Sequence, residues 1–417
     1  LTASGGGTYL WSTGETTAAI TVSPAGTTTY TVTVTSAEAC SATASATVNV
    51  VPVPLVNAVA NQTYCVGASV PSVVFTSSTP GAVFNWSRTN EAIGLPTTNG
   101  TGNVPAFTAT NAGITPLTAT FTVVASVTSD GITCTGTPIQ FTITINPTPQ
   151  VNAVVSQTHC AGAVVPSIVF AGNVPGATYS WTRTNEAIGA IATAGSGSVP
   201  SFTATNAGVA PLTSTFTVTA SYTNNGVTCT GTPITFTITV NPVPTVNAVA
   251  SQTYCAGASV PAINFTSNVP GVVFNWTRTN VPIGGIPTMG VGGVPTFIAT
   301  NPGTTPISSV FTVTASYTNN GVTCTGAPMT FTITVNPTPV VTPVPNQTYC
   351  AGANVPPIFF NSNVPGAVLT WTRTGDDIGL GPVSGTGNIP PFTGINNTTG
   401  PLVATITVVA TFTSNGV

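Results

Sequence analysis

Lysine is absent from this 417-residue sequence, and charge of either sign is scarce: four arginines, seven Asp and Glu, and one histidine. Charged residues make up 3 % of the chain, against about 25 % in ordinary domains. Binding to nucleic acid needs a basic patch that displaces counterions, and four arginines cannot supply one. A polybasic membrane anchor is excluded for the same reason. No run of eighteen apolar residues occurs, because Thr, Ser, Asn and Gly interrupt each one, so no membrane-spanning helix is expected. With His159 the sole histidine, a Ser/His/Asp triad and an imidazole-rich zinc site are disfavoured. Paired carboxylates for acid/base work are missing from most of the chain. Asp376 and Asp377 form the one acidic pair that a calcium ion could use. No catalytic residue, cofactor or metal ligand is therefore expected. The opening LTASGGGTYLWSTG lacks the charged and apolar regions of a signal peptide and reads as the interior of a domain. The sequence is expected to be a piece of a longer chain.

What is abundant is repetition. NPTPQVNAVVSQTHCAG from Asn146 returns as NPVPTVNAVASQTYCAG from Asn241 and NPTPVVTPVPNQTYCAG from Asn336, at intervals of 95 residues. Arginines recur on the same period at Arg88, Arg183, Arg278 and Arg373, and tryptophans at Trp86, Trp181, Trp276 and Trp371. Paired prolines fall at Pro52/Pro54, Pro147/Pro149, Pro242/Pro244 and Pro337/Pro339. Proline fixes φ and holds its neighbour extended, so these are short, semi-rigid joints. The expected organisation is residues 1–51 as the latter part of one domain, complete repeats at 55–146, 150–241 and 245–336, and a truncated fourth copy at 340–417.

Within a repeat, the pattern has period two. FTITINP from Phe141 and FTITVNP from Phe236 and Phe331 alternate large apolar residues with threonine, which describes strands with one buried and one solvated face. Two such runs meet at Asp130-Gly131, Asn225-Gly226 and Asn320-Gly321, the favoured centres of two-residue hairpins. AVFNWSR from Ala82 predicts a strand that carries its tryptophan inward. No apolar 3.6-residue period appears. About seven short strands per repeat predict an all-β chain, a tandem array of β-sandwiches joined by Pro-x-Pro linkers.

The cysteines form two series, Cys65, Cys160, Cys255, Cys350 and Cys134, Cys229, Cys324. One of each per repeat predicts disulfides within repeats: Cys65–Cys134, Cys160–Cys229 and Cys255–Cys324. Pairing crossed between neighbouring repeats is the alternative. Cys350 is expected to pair past Val417 and Cys40 before Leu1, leaving both unpaired in this sequence. Disulfides imply an oxidising, extracellular setting.

The most site-like motif is WSRTNEAIG, Trp86 to Gly94, with arginine, asparagine and glutamate beside an aromatic. A sugar-binding spot is one reading. The other is a core tryptophan followed by a turn, with Arg88 and Glu91 as a local ion pair. Val281 replaces the glutamate in the third copy, which favours the structural reading. His159 stands where Tyr64, Tyr254 and Tyr349 stand in the other copies and reads as an aromatic packing substitution. Asn-x-Ser/Thr sequons at Asn61 and Asn85 are expected by chance in so Thr-rich a chain.

WSTGETTAAITVSPAGTTTYTVTVTSAEACSATASATVNV from Trp11 resembles the Ig-like repeats of very large surface proteins of gliding Bacteroidetes. The 95-residue units, with NPTP, QTYCAGA, NWTRTN and TNNGVTCTGTP, resemble the PKD-like repeats of the same adhesins. The resemblance covers essentially the whole chain. It implies Ig-like/PKD-like sandwiches in a cell-surface adhesin exported by the type IX system, and brings no ligand residues with it. The leading functional expectation is a non-catalytic extracellular stalk, with any surface or polysaccharide bound through regions outside this sequence. A self-assembling filament or sheath is the second, since a net charge of −3 offers little repulsion between copies. A spacer or carbohydrate-binding region of a secreted enzyme is the third.

Overall fold

The computed structural model describes residues 1–184 and 186–417, in which every strand or helix assigned is a β-strand. Threonine, valine and the aromatics favour a pleated, half-buried surface, and the turns carry Gly, Asn and Pro. The first module holds β1 (Thr8–Trp11), β2 (Thr28–Thr35) and β3 (Ser41–Val48) in one antiparallel sheet. The first repeat holds eight strands rather than seven: β4 (Gln62–Cys65), β5 (Ser69–Val70), β6 (Val83–Arg88), β7 (Asn99–Thr101), β8 (Phe107–Thr108), β9 (Leu117–Ser129), β10 (Ile132–Thr135) and β11 (Ile139–Asn146). Its main sheet runs β4-β11-β9-β6-β7, with β10 paired to the far end of β9, and β5 and β8 form a small second sheet. The second and third repeats repeat this topology. In the fourth copy, Val368–Gly375 lies between Ser384–Thr386 and Ala404–Thr411. The fold is thus an all-β tandem array of sandwiches.

Each sandwich is organised around β9. Thirteen residues long, it spans about 43 Å at the usual strand rise. Ala119, Phe121, Val123 and Ala125 point into the core and are wholly buried. Phe121 stacks on Phe141 of β11 at 4.9 Å, and Trp86 of β6 tilts over it at 6.0 Å. Thr120 and Thr122 between them lie on the opposite face, where Thr118 pairs with the buried Thr144 of β11 through their hydroxyls at 2.9 Å. At the β9–β10 turn, Asp130 and Gly131 both take positive φ, 50° and 77°, the conformation a two-residue hairpin of this twist requires.

The strand directions fix which residues share an end of the sandwich. β4 runs parallel to β11 and sets Cys65 opposite Asn146. β11 runs antiparallel to β9 and sets Ile145 opposite Leu117. Cys65 and Asn146 therefore stand at the trailing end, where the chain leaves for the next repeat. The hairpin tip stands at the leading end, with Cys134 opposite Val127. The part of β9 between Leu117 and Val127 separates the two ends by about 33 Å of strand, whereas a disulfide needs Cα atoms within about 7 Å.

The predicted bonds within repeats, Cys65–Cys134, Cys160–Cys229 and Cys255–Cys324, are therefore not formed. The structure instead joins Cys65 to Cys229 and Cys160 to Cys324, each over 164 residues and with Cα atoms 5.5 Å apart. Each bond ties the trailing end of one repeat to the leading end of the next. Cys134 and Cys255, expected in bonds, are free thiols here, as are Cys40 and Cys350.

The proline linkers lie against the repeat that follows them. Pro147 and Pro149 are buried, as are Pro242 and Pro244. A Cβ built on Gly231, just past the second repeat's hairpin, would stand 1.8 Å from the Pro149 carbonyl oxygen; Gly136 and Gly326 meet Pro54 and Pro244 in the same way. Gly231→Ala is therefore expected to push the linker off its seat at a cost of about 1–3 kcal/mol. Hydrogen exchange at residues 148–152 should speed up, while the turn at 130–131 of the first repeat stays as protected as before.

Candidate functional site

The groups that recur and converge in this chain do so at the joints between repeats. At the joint between the first and second repeats, Asn146 ends β11 and is fully buried. Its Nδ2 donates to the carbonyls of Asn224 and Val227 at 3.2 and 3.3 Å, and its Oδ1 accepts from Asn224 Nδ2 at 2.9 Å. Asn225 at the hairpin tip donates to Thr63 Oγ1 at 3.3 Å, and the Cys65–Cys229 bond lies alongside. The next joint repeats every part: Asn241 against Asn319 and Val322, Asn320 against Thr158, and Cys160–Cys324. An amide buried with its donors and acceptor matched holds a single arrangement, because any slippage leaves polar groups unpaired at about 1–3 kcal/mol each.

Two other joints are weaker, for identifiable reasons. Where the third repeat meets the fourth copy, Asn336 Nδ2 reaches the Ser414 and Val417 carbonyls at 3.2 and 2.8 Å. Ser414 stands where the second and third repeats have Asn224 and Asn319, and Asn336 Oδ1 is left buried without a partner. Where the first module meets the first repeat, Asn49 Nδ2 donates to Asp130 Oδ2 at 2.8 Å in an exposed contact, and Pro52 is exposed.

The prolines of NPTP are conspicuous in the sequence, and the asparagine before them, which anchors each joint, is not. The signal was present: asparagine is a poor strand residue, yet it closes the last Thr/Val strand of each complete repeat, at Asn146, Asn241 and Asn336.

The WSRTNEAIG motif folds into a self-contained loop. Arg88 Nε donates to the Thr97 carbonyl at 2.9 Å, Nη1 to those of Thr89 and Glu91 at 2.8 and 2.7 Å, and Nη2 to that of Leu95 at 2.5 Å. The expected Arg88–Glu91 ion pair is not formed; the guanidinium binds the Glu91 backbone instead. That accounts for Val281 in the third copy, where Arg278 binds the Val281 carbonyl at 2.8 Å. Burial lowers the affinity of the Arg88 guanidinium for its proton, and the Glu91 charge partly restores it. Asn185, the second copy's counterpart of Asn90 in the motif, lies outside the described residues. In the fourth copy Arg373 does form a salt bridge, to Asp377 at 2.9 Å. That hydrogen bond, with one from the Gly379 N–H, holds the Asp377 carboxyl below the usual range. Asp376 accepts from the Val403 N–H at 2.7 Å, so both members of the acidic pair are engaged by the protein. Among the described residues, no three His, Cys, Asp or Glu side chains gather where a metal would need them.

Trp86, Trp181, Trp276 and Trp371 are all buried. Each indole lies over a glycine of the neighbouring short strand, Gly100 under Trp86 and Gly195 under Trp181, where any Cβ would overlap the ring. Their indole N–H groups have no acceptor, and nothing in the structure accounts for it. His159 occupies the tyrosine slot and keeps the tyrosine's hydrogen bond. Its Nε2 lies 2.9 Å from Gln157 Oε1, as Tyr64 OH lies 2.8 Å from Gln62 Oε1. Burial pushes the imidazole pKa below its ordinary value.

No protein-family model matches the chain, and no curated protein sequence matches it. Among solved structures the chain is similar to mouse cadherin-23 repeats EC22–24, at 12 % identity and a TM-score of 0.30, over 68 % of this chain and 99 % of that one. It is similar to Drosophila N-cadherin EC1–4 at 11 % identity and a TM-score of 0.29, over 76 % and 85 %. Immunoglobulin domains 1–5 of Sidekick-1 match at 14 % identity and a TM-score of 0.28, over 93 % and 86 %.

Proposed function

We propose that this chain is a length of the shaft of a long extracellular surface adhesin, a structural and non-catalytic region that holds a binding tip away from the cell. The observation that carries this reading is the joint. Each complete repeat clamps the hairpin of the next with a buried asparagine, and the joints between the first and second and the second and third repeats add a seated proline linker and a disulfide. Such joints suit a spacer that must keep its direction, and the disulfides suit an oxidising exterior. The resemblance of the repeats to PKD-like modules extends the proposal to a gliding-type Bacteroidetes adhesin exported by the type IX system, with surfaces or polysaccharides bound elsewhere in the full protein.

A second reading, lateral assembly into a filament or sheath, is favoured by one recurring surface feature. Val74, Val169 and Phe359 occupy the same position in three copies and are 61 %, 78 % and 64 % exposed.

Electron microscopy of the native material separates the two. The shaft predicts isolated threads one domain wide, beaded at about 40 Å, the length of the central strand. Threads several domains wide with regular cross-contacts would replace it with lateral assembly.

A further inference from the structure

We infer that the staggered disulfides give this chain a further, mechanical function: between Cys134 and Cys350 they carry tension past the folded sandwiches, so that this stretch cannot lengthen appreciably when a repeat within it unfolds. The use of this property in a shaft rests on the reading above, whereas the extension limit itself stands on the disulfide connectivity alone.

A tandem array without cross-links lengthens under load, because each domain that unfolds releases its whole chain at about 3.5 Å per residue. Here a shorter covalent path exists. Cys134 stands at the leading end of the first repeat, opposite Val127. The short run of chain from Cys134 to Cys160 finishes at the trailing end of the second repeat, where Cys160 stands opposite Asn241. Its disulfide crosses to Cys324 at the leading end of the third repeat, opposite Tyr317. A run of equal length then leads from Cys324 to Cys350 in the fourth copy. The path from Cys134 to Cys350 is therefore two short runs and one disulfide. It bypasses all the chain between Cys160 and Cys324, a sequence separation of 164.

The lengths decide the consequence. The two runs together, roughly 52 residues, reach about 180 Å when fully extended. Four sandwiches in line, each as long as its central strand, span about 170 Å. The path is nearly taut before any force is applied. It follows segments that are already extended, namely β10, β11, the Pro147/Pro149 linker and Gln157–Cys160. A second path is offset by one repeat: it crosses the first joint by Cys65–Cys229 and runs on along the chain to Cys255. At both joints the linker of one path lies beside the disulfide of the other. Unfolding of the sandwiches would free the strands off the path as slack loops while the load stayed on the paths.

The test is single-molecule stretching of the full 417-residue chain, with DNA handles on Cys134 and Cys350 and with Cys40 and Cys255 replaced by serine. In the oxidised chain, extension beyond the folded span is expected to stay within about 30 Å, with no domain-sized steps. After reduction the same molecule should release about 600 Å. Removing either disulfide separates this inference from general stabilisation. Cys160→Ser/Cys324→Ser opens the path between the handles and should restore extension of several hundred ångströms. Cys65→Ser/Cys229→Ser, which removes a bond of the same kind, should leave extension within the same short limit. Domain-sized steps in the oxidised chain, or equal lengthening in both double variants, would overturn the inference. Either result leaves the shaft reading to the microscopy.

Discussion

Replacing Cys160 and Cys324 together by serine is expected to destabilise the second and third repeats by about 5 kcal/mol, the chain-entropy value for a bond closing 164 residues. The loop is long because the bond crosses a domain boundary, so it restrains two unfolded repeats at once. The effect should be read by denaturant unfolding of the oxidised protein, followed through Trp181 and Trp276, both buried in the repeats concerned. A non-reducing peptide map makes the prediction specific. The Cys160 peptide should migrate with the Cys324 peptide and the Cys65 peptide with that of Cys229. A map that joined Cys160 to Cys229 would return the bonds to the interior of each repeat and remove the covalent path with them. The Asn241 clamp would survive such a map, because its contacts with Asn319 and Val322 do not depend on sulfur.

The fold was legible in the sequence because its determinants are local. The Thr/apolar alternation of FTITV marks a half-buried strand wherever it occurs, and Asn225-Gly226 dictates a two-residue turn through its positive φ values of 49° and 76°. The 95-residue period then multiplies each local reading by the number of copies. The cysteine pairing was not local. The spacing from Cys65 to Cys134 and that from Cys65 to Cys229 differ by one period, so both recur along the chain, and only the parallel pairing of β4 with β11 separates them. One clue lay in the distance from Pro54 to Cys65. That length of chain reaches across a sandwich, so a cysteine so far past the linker need not remain at the end where the repeat begins. The Arg88 loop failed for a related reason: sequence shows which side chains are charged, but a guanidinium satisfied by four backbone carbonyls leaves no trace in the identity of its acceptors.

Phe216→Ala is expected to cost about 3–5 kcal/mol and to unfold the second repeat ahead of its neighbours. Phe216 is fully buried, stacks on Phe236 at 5.0 Å and supports Trp181 at 5.9 Å, so its loss opens a cavity where the two longest strands meet. In an array where each unit contacts only its neighbours, such a defect spreads through the joints alone. Those joints press in opposite directions. Their buried asparagines transmit order, because Asn146 keeps its partners only while the 224–227 turn stays folded. Their disulfides transmit position without order, since Cys229 stays bound to the first repeat and Cys160 to the third whether or not the chain between them is folded. Hydrogen exchange on the variant should therefore show protection lost across residues 212–241, weakened around Asn146, and retained in the strands Ile307–Asn319 and Met329–Asn336 of the third repeat. Loss across all three repeats together would mean that the joints couple folding more strongly than they couple position. The array would then behave as one cooperative rod rather than as separate sandwiches held in line by their staples.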